Sequence, residues 1–166
     1  MGHPTMKVGL PDYDVQAEVE LAWNAAPDVV AWVWGVIAEP VATHTSHACF
    51  DGHEVFCFLP AEGRPPAPQN QTMRPKVGDV MFFGAEPHRF AALAEDRLSG
   101  HQAALYELAF MYDEVDLRHF WEDGIVGSVV GRVTTGFEEF AKACRATLDE
   151  GRTRIEISRG TPEETS

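Results

Sequence analysis

His47 and Glu54 stand on either side of Asp51-Gly52, a dipeptide that favours a two-residue hairpin turn. With that turn, Phe50 faces His53, Cys49 faces Glu54 and His47 faces Phe56 across a pair of strands. Side chains alternate along a strand. Thr45, His47, Cys49, Glu54, Phe56 and Phe58 then share one face, and Ala48, Phe50, Val55, Cys57 and Leu59 form an apolar set facing the interior. His47 and Glu54 become diagonal neighbours within side-chain reach. A carboxylate beside an imidazole holds the ring and raises its pKa. With Cys49, Phe56 and Phe58 as walls, this is what an acid/base pair or a small-ligand pocket needs. The same residues equally suit an ordinary cross-strand polar pair.

Other residues could complete such a site. Asn70 and Gln71 lie in a proline-rich stretch, where their amides can bind a carboxylate or amide, or cap turns. Arg118 sits among Asp113, Glu114, Asp116, Glu122 and Asp123; it either holds a ligand's carboxylate or relieves the acidic loop. Trp121 and Phe120 are large aromatics in a polar segment and need burial in a groove or against a partner. His47, Cys49 and Glu54 are possible metal ligands, but His44 is three residues from His47 and faces the other side of a strand. No second ligand motif accompanies them, so neither metal nor cofactor is expected. Nucleophile-elbow and phosphate-loop motifs are absent: GIVGSVVG lacks the lysine.

The elements that must position these residues are mostly strands. DVQAEVELA alternates apolar and polar positions over residues 14–22, as a half-buried strand does. Pro27 and Asp28 open a short helix to about Val36. Residues 41–59 form the hairpin, and residues 60–75, with five prolines, a long loop. VMFF (80–83), AALYELAFMY (103–112) and GIVGSVVGRVT (124–134) read as strands, and FAALAEDRLSG (90–100) as a helical turn or two ending at Gly100. Thr135 and Glu138 make a capping box for a helix carrying Phe137, Phe140, Ala141, Cys144 and Leu148 at helical spacing. Gly151 stops it and RTRIEIS closes as a strand. Residues 1–6 are expected as a tail, with Met6 a candidate start, residues 7–158 as one barrel domain, and residues 159–166 as a disordered end.

Four segments in this order, AAPDVV (25–30), HACFDGHEVFCFLP (47–60), PQNQTMRPKVGDVMFF (68–83) and FEEFAKACRATLDEGRTRIEI (137–157), resemble a bacterial family with a cyclophilin-like fold, domain of unknown function 3830. The resemblance implies a mainly β protein, a closed cyclophilin-like β-barrel capped by two short α-helices, in the bacterial cytoplasm. It implies no established reaction. The catalytic pattern of peptidyl-prolyl isomerases, an Arg strand followed by a Phe/Met/Gln strand and a Gly-Gly-Asp turn, is absent.

Composition narrows the function classes. The 166 residues carry a net charge of −13, with 45% hydrophobic and 23% charged residues, which suits one globular domain. Such acidity and the lack of a basic stripe argue against nucleic acid. No apolar run approaches the ~20 residues of a membrane span, and no signal peptide is visible. Cys49, Cys57 and Cys144 are expected as reduced thiols. Three readings follow. One is a metabolic accessory that binds a small polar or amide-bearing molecule. Another is a small-molecule hydrolase, an isomerase or a peptidyl-prolyl isomerase-like enzyme, with His47 as base, Glu54 orienting it and Arg118 holding a carboxylate. The third is a structural module that forms homo-oligomers through residues 84–101 and Trp121.

Overall fold

Alternation at Val15, Ala17, Val19 and Leu21 produces a strand whose last three apolar residues are buried. In a computed structural model of the chain, residues 3–48, 53–60, 63–85, 105–120 and 122–160 are described. The elements run β1 (Thr5–Leu10), β2 (Val15–Leu21), α1 (Pro27–Val36), β3 (Val41–His44), β4 (Ser46–His47), β5 (Glu54–Phe58), β6 (Gln71–Thr72), β7 (Asp79–Ala85), β8 (Leu105–Met111), β9 (Gly127–Thr135), α2 (Phe137–Glu150) and β10 (Arg154–Arg159). Among them no helix is long and apolar enough to cross a membrane.

One antiparallel sheet runs in the order β3-β10-β1-β2-β9-β7-β8-β5-β4, with β6 added on β9. Its two ends, β3 and β4, are consecutive in the chain and separated by Thr45 alone. The fold is therefore a mainly β, nearly closed barrel with two α-helices among the described residues. Thr45 is buried at the seam, where its N–H donates to the Thr153 carbonyl at 2.9 Å and its Oγ1 accepts from the Thr153 N–H at 3.0 Å. Arg152 Nε donates to the Thr45 carbonyl at 2.7 Å.

The barrel interior is filled by side chains from every major strand, including Met6, Val8, Val19, Val55, Cys57, Val80, Leu108, Phe110, Val130 and Ile157. Helix α1 adds Val29, Val30 and Val33, and α2 adds Phe140, Ala143 and Cys144. Each such large apolar side chain contributes about 1.5–3 kcal/mol on burial. A second, smaller cluster lies on the opposite face of the sheet: Met81, Ala109 and Met111, covered by Met73, Val115, Leu117, Phe120 and Ile125. The expected interior set of Val55, Cys57 and Leu59 is buried, and Phe120 packs in the second cluster.

Several local expectations are corrected. Strand β1 starts at Thr5 and Met6 is fully buried, so the sheet begins inside the segment expected as a tail. At the other end, Arg159 belongs to β10 and the Gly160 N–H donates to the Thr5 carbonyl at 2.8 Å. The proline-rich stretch contains β6, paired through Gln71 with Ser128. Helix α2 has no capping box: Gly136, at φ 72°, precedes it, because the chain turns sharply against β2 and a Cβ there would stand 2.5 Å from the Gln16 carbonyl oxygen. The expected helical turn at 90–100 lies outside the described residues.

Candidate functional site

The hairpin register decides which residues meet. Ser46 pairs with Phe56 and His47 with Val55, and the Ala48 N–H donates to the Glu54 carbonyl at 3.0 Å. This differs by one residue from the register of a two-residue Asp51-Gly52 turn. A one-residue slip moves a side chain to the other face of the sheet. His47 therefore shares the face of Val55, while Glu54, Phe56 and Phe58 point the other way. The expected side-by-side placement of His47 and Glu54 on one face is corrected. Cys49 and the turn itself lie outside the described residues.

His47 instead meets Tyr112, just beyond β8. Its Nε2 lies 2.7 Å from the Tyr112 hydroxyl and its Nδ1 lies 3.1 Å from the Ala48 carbonyl. The carbonyl can only accept, so Nδ1 carries a proton, and in the neutral form of the ring Nε2 is the acceptor for the phenol. Tyr112 is buried, and a buried phenol needs a partner, which accounts physically for the register. Around it stand His53, bonded to the Glu114 carbonyl, and Arg145, whose guanidinium lies 5.7 Å from the Tyr112 ring centre and pairs with Asp113 at 2.7 Å. Together these groups form a polar cluster beside the β4–β5 end of the barrel.

The outer face of β5, β8 and β7 carries different chemistry. Glu107 on β8 is directly opposite Phe58 on β5 and directly opposite Phe83 on β7. Directly opposed residues share a face, with Cβ atoms about 4.5–5.5 Å apart. The carboxyl thus stands between two phenyl rings. Phe58 is 40% exposed and packs edge-on against Phe56, centroids 5.7 Å apart. On the far side, the Phe83 ring fills the space that a side chain at Gly127 would need. Among the described residues no hydrogen bond or ion pair reaches the Glu107 carboxyl, and burial pushes its pKa up to about 7. No fully buried side-chain nitrogen or oxygen among the described residues lacks a partner, so the Glu107 oxygens keep contact with solvent. Glu54, itself buried, lies further along the same face of β5.

The remaining predicted residues have local partners. Asn70, at φ 48°, donates from Nδ2 to the Val129 carbonyl at 2.8 Å and so holds β6 against β9. Gln71 is exposed within β6. Arg118 is bound to Asp116, with Nη2 at 2.5 Å and Nε at 2.8 Å, which holds the acid well below the usual carboxylate range and closes the turn at Leu117–His119. Trp121 lies outside the described residues. Among the described residues, no cluster of three or more His, Cys, Asp or Glu side chains could hold a metal ion. Cys57 and Cys144 are free thiols in the core, and burial pushes Cys57 up to about 12. Sequence reasoning missed Glu107, Phe83 and Tyr112. The available signal was Glu107 itself, the one charged residue within the strand LYELAFM.

A nearly closed antiparallel barrel, packed by α1 and α2 and carrying an aromatic-walled carboxyl on its outer face, defines the class. The chain belongs to the family described as protein of unknown function DUF3830, whose model matches residues 8–159. Its fold is similar to that in the structure of McbB in complex with tryptophan, with a TM-score of 0.62 at 12% sequence identity. That match covers 99% of this chain and 47% of McbB, so the chain spans about half of McbB's length. No curated protein matches the sequence at a significant level.

Proposed function

We propose that this protein binds a small polar or amide-bearing molecule on the outer face of β5, β8 and β7, at Phe56, Phe58, Phe83 and Glu107. One observation carries the reading: a solvent-touching carboxyl stands between two phenyl rings, one of them 40% exposed. Apolar walls with a few placed polar groups are the usual composition of a small-molecule site. McbB, of similar fold, is bound to tryptophan in its structure, which agrees with a small-molecule role. A thermal-shift screen of metabolites tests the reading. At least one compound is expected to raise the melting temperature of the wild type and not that of Phe58→Ala. If every stabilising compound acts equally on Phe58→Ala, or none acts at all, the site is elsewhere or absent.

A second reading rests on the 2.7 Å contact between His47 Nε2 and the Tyr112 hydroxyl. An imidazole with its tautomer fixed by a backbone carbonyl can take a proton from a phenol and pass it on. In that case His47→Gln and Tyr112→Phe abolish turnover of a compound found in the screen while leaving its binding intact. Unchanged turnover in either variant excludes this role.

A further inference from the structure

We infer that the outer-face site around Glu107 selects a small organic amine in its ammonium form, carried on an apolar body. This inference rests on the outer-face site proposed above and specifies its ligand class. The geometry provides two of the attractions an ammonium ion uses, a carboxylate and aromatic faces. Glu107 is flanked by Phe58 and Phe83 in register, and Phe56 extends the wall beyond Phe58. A cation over an aromatic face gains about 0.5–2 kcal/mol, most when desolvated. A carboxylate without a protein partner gains further by ion pairing, because no cation among the described residues satisfies its charge. A calcium or magnesium ion fits poorly, since it demands about six or more oxygen ligands and one carboxyl among phenyl rings cannot supply them. An anionic ligand is disfavoured by the same carboxyl and by the net charge of −13, which also steers cations toward the protein.

The proton balance follows from the setting. With its pKa raised to about 7, Glu107 is largely protonated below neutrality and must release that proton when an ammonium ion takes its place. The side chains facing it are mostly apolar. From β5 come Phe58 and Phe56; Cys57, on the interior face of β5, interacts with Glu107 only electrostatically and stays neutral with its pKa at about 12. From β7 come Phe83 and Met81, from β9 Val129, and on β8 itself Leu105 and Ala109. Glu54 is the remaining acid on this face.

Benzylamine and its neutral analogue benzyl alcohol serve as probes, titrated by calorimetry at about pH 6 and about pH 8 into wild type, Glu107→Gln and Phe58→Ala. The expected result is that benzylamine binds the wild type about tenfold more tightly at the higher pH, the ratio of ionised Glu107 at the two values. Benzyl alcohol is expected to bind more weakly and without pH dependence. Glu107→Gln is expected to erase both the preference for the amine and its pH dependence. Because the wild-type pH profile needs no variant, a misfolded Glu107→Gln protein leaves the test intact. If both probes bind the wild type equally and both are lost in Phe58→Ala, the outer-face site stands and the ammonium assignment falls. If neither probe binds, both fall.

Discussion

A carboxyl set among phenyl rings reverses the usual pH dependence of a glutamate. Most native carboxylates are stabilised in their charged form, whereas Glu107 is favoured neutral. The folded chain holds its proton up to about 7 and the unfolded chain releases it near the ordinary value of 4.5. The folded state therefore binds more protons in between, and stability falls as pH rises through that window. The contribution is complete below about 4.5, and its loss above 7 amounts to at most about 3 kcal/mol. Glu107→Gln removes the dependence. Urea unfolding of both proteins at about pH 5 and pH 8 checks it: the variant is expected to gain stability relative to wild type at the higher pH. An equal difference at both values would mean that the Glu107 carboxyl is not shifted. At this scale the sequence pointed to the right strand and the wrong partner. Phe56, Phe58 and Glu54 do share a face, but His47 crosses to the other one. The reason is a buried phenol 65 residues away that no local pattern reveals.

Elements were legible where local chemistry acts alone. Pro27 and Asp28 set the start of α1, and its observed bounds, Pro27–Val36, are the expected ones. Strands β2, β7, β8 and β9 form where apolar alternation or short apolar runs predict them. Helix α2 shows the limit. Thr135 and Glu138 fit a capping box, yet the N-cap position is Gly136 with no side-chain cap. The close approach of β2 selects a left-handed glycine over a capping side chain, and no single-sequence signal carries that distance. The two residues should thus differ sharply on substitution. Thr135→Ala is expected to change stability by less than about 0.5 kcal/mol, as at an ordinary surface position. Gly136→Ala is expected to lose about 2 kcal/mol or more, from a positive φ together with a Cβ 2.5 Å from the Gln16 oxygen. Denaturant midpoints of the two variants decide the matter, and similar losses would restore the capping box.

At the scale of the whole molecule, closure depends on one short crossing. The sheet order ends in β3 and β4, so the barrel is drawn together by chain connectivity at Thr45 rather than by a complete ladder. Sequence periodicity shows that strands exist but not which edges meet, because pairing between distant segments leaves no local trace. At that crossing Thr45 extends the β3–β10 pairing by one residue. Its hydroxyl is the acceptor for the buried Thr153 N–H, and Thr153 in turn donates from Oγ1 to Asp12 at 2.8 Å. That acid also accepts from Arg154, which keeps it well below the usual carboxylate range and ties the β1–β2 turn to the start of β10. Thr45→Val keeps the shape and removes the acceptor, stranding a buried donor at the seam. A loss of about 1–3 kcal/mol is expected, against almost none for Thr134→Val at an exposed position of β9. Hydrogen exchange locates the effect: faster exchange in β3, β4 and β10, with β7 and β8 unchanged, is the signature of a loosened seam. Uniform acceleration across the sheet would mean that Thr45 contributes to the barrel only as one more buried residue.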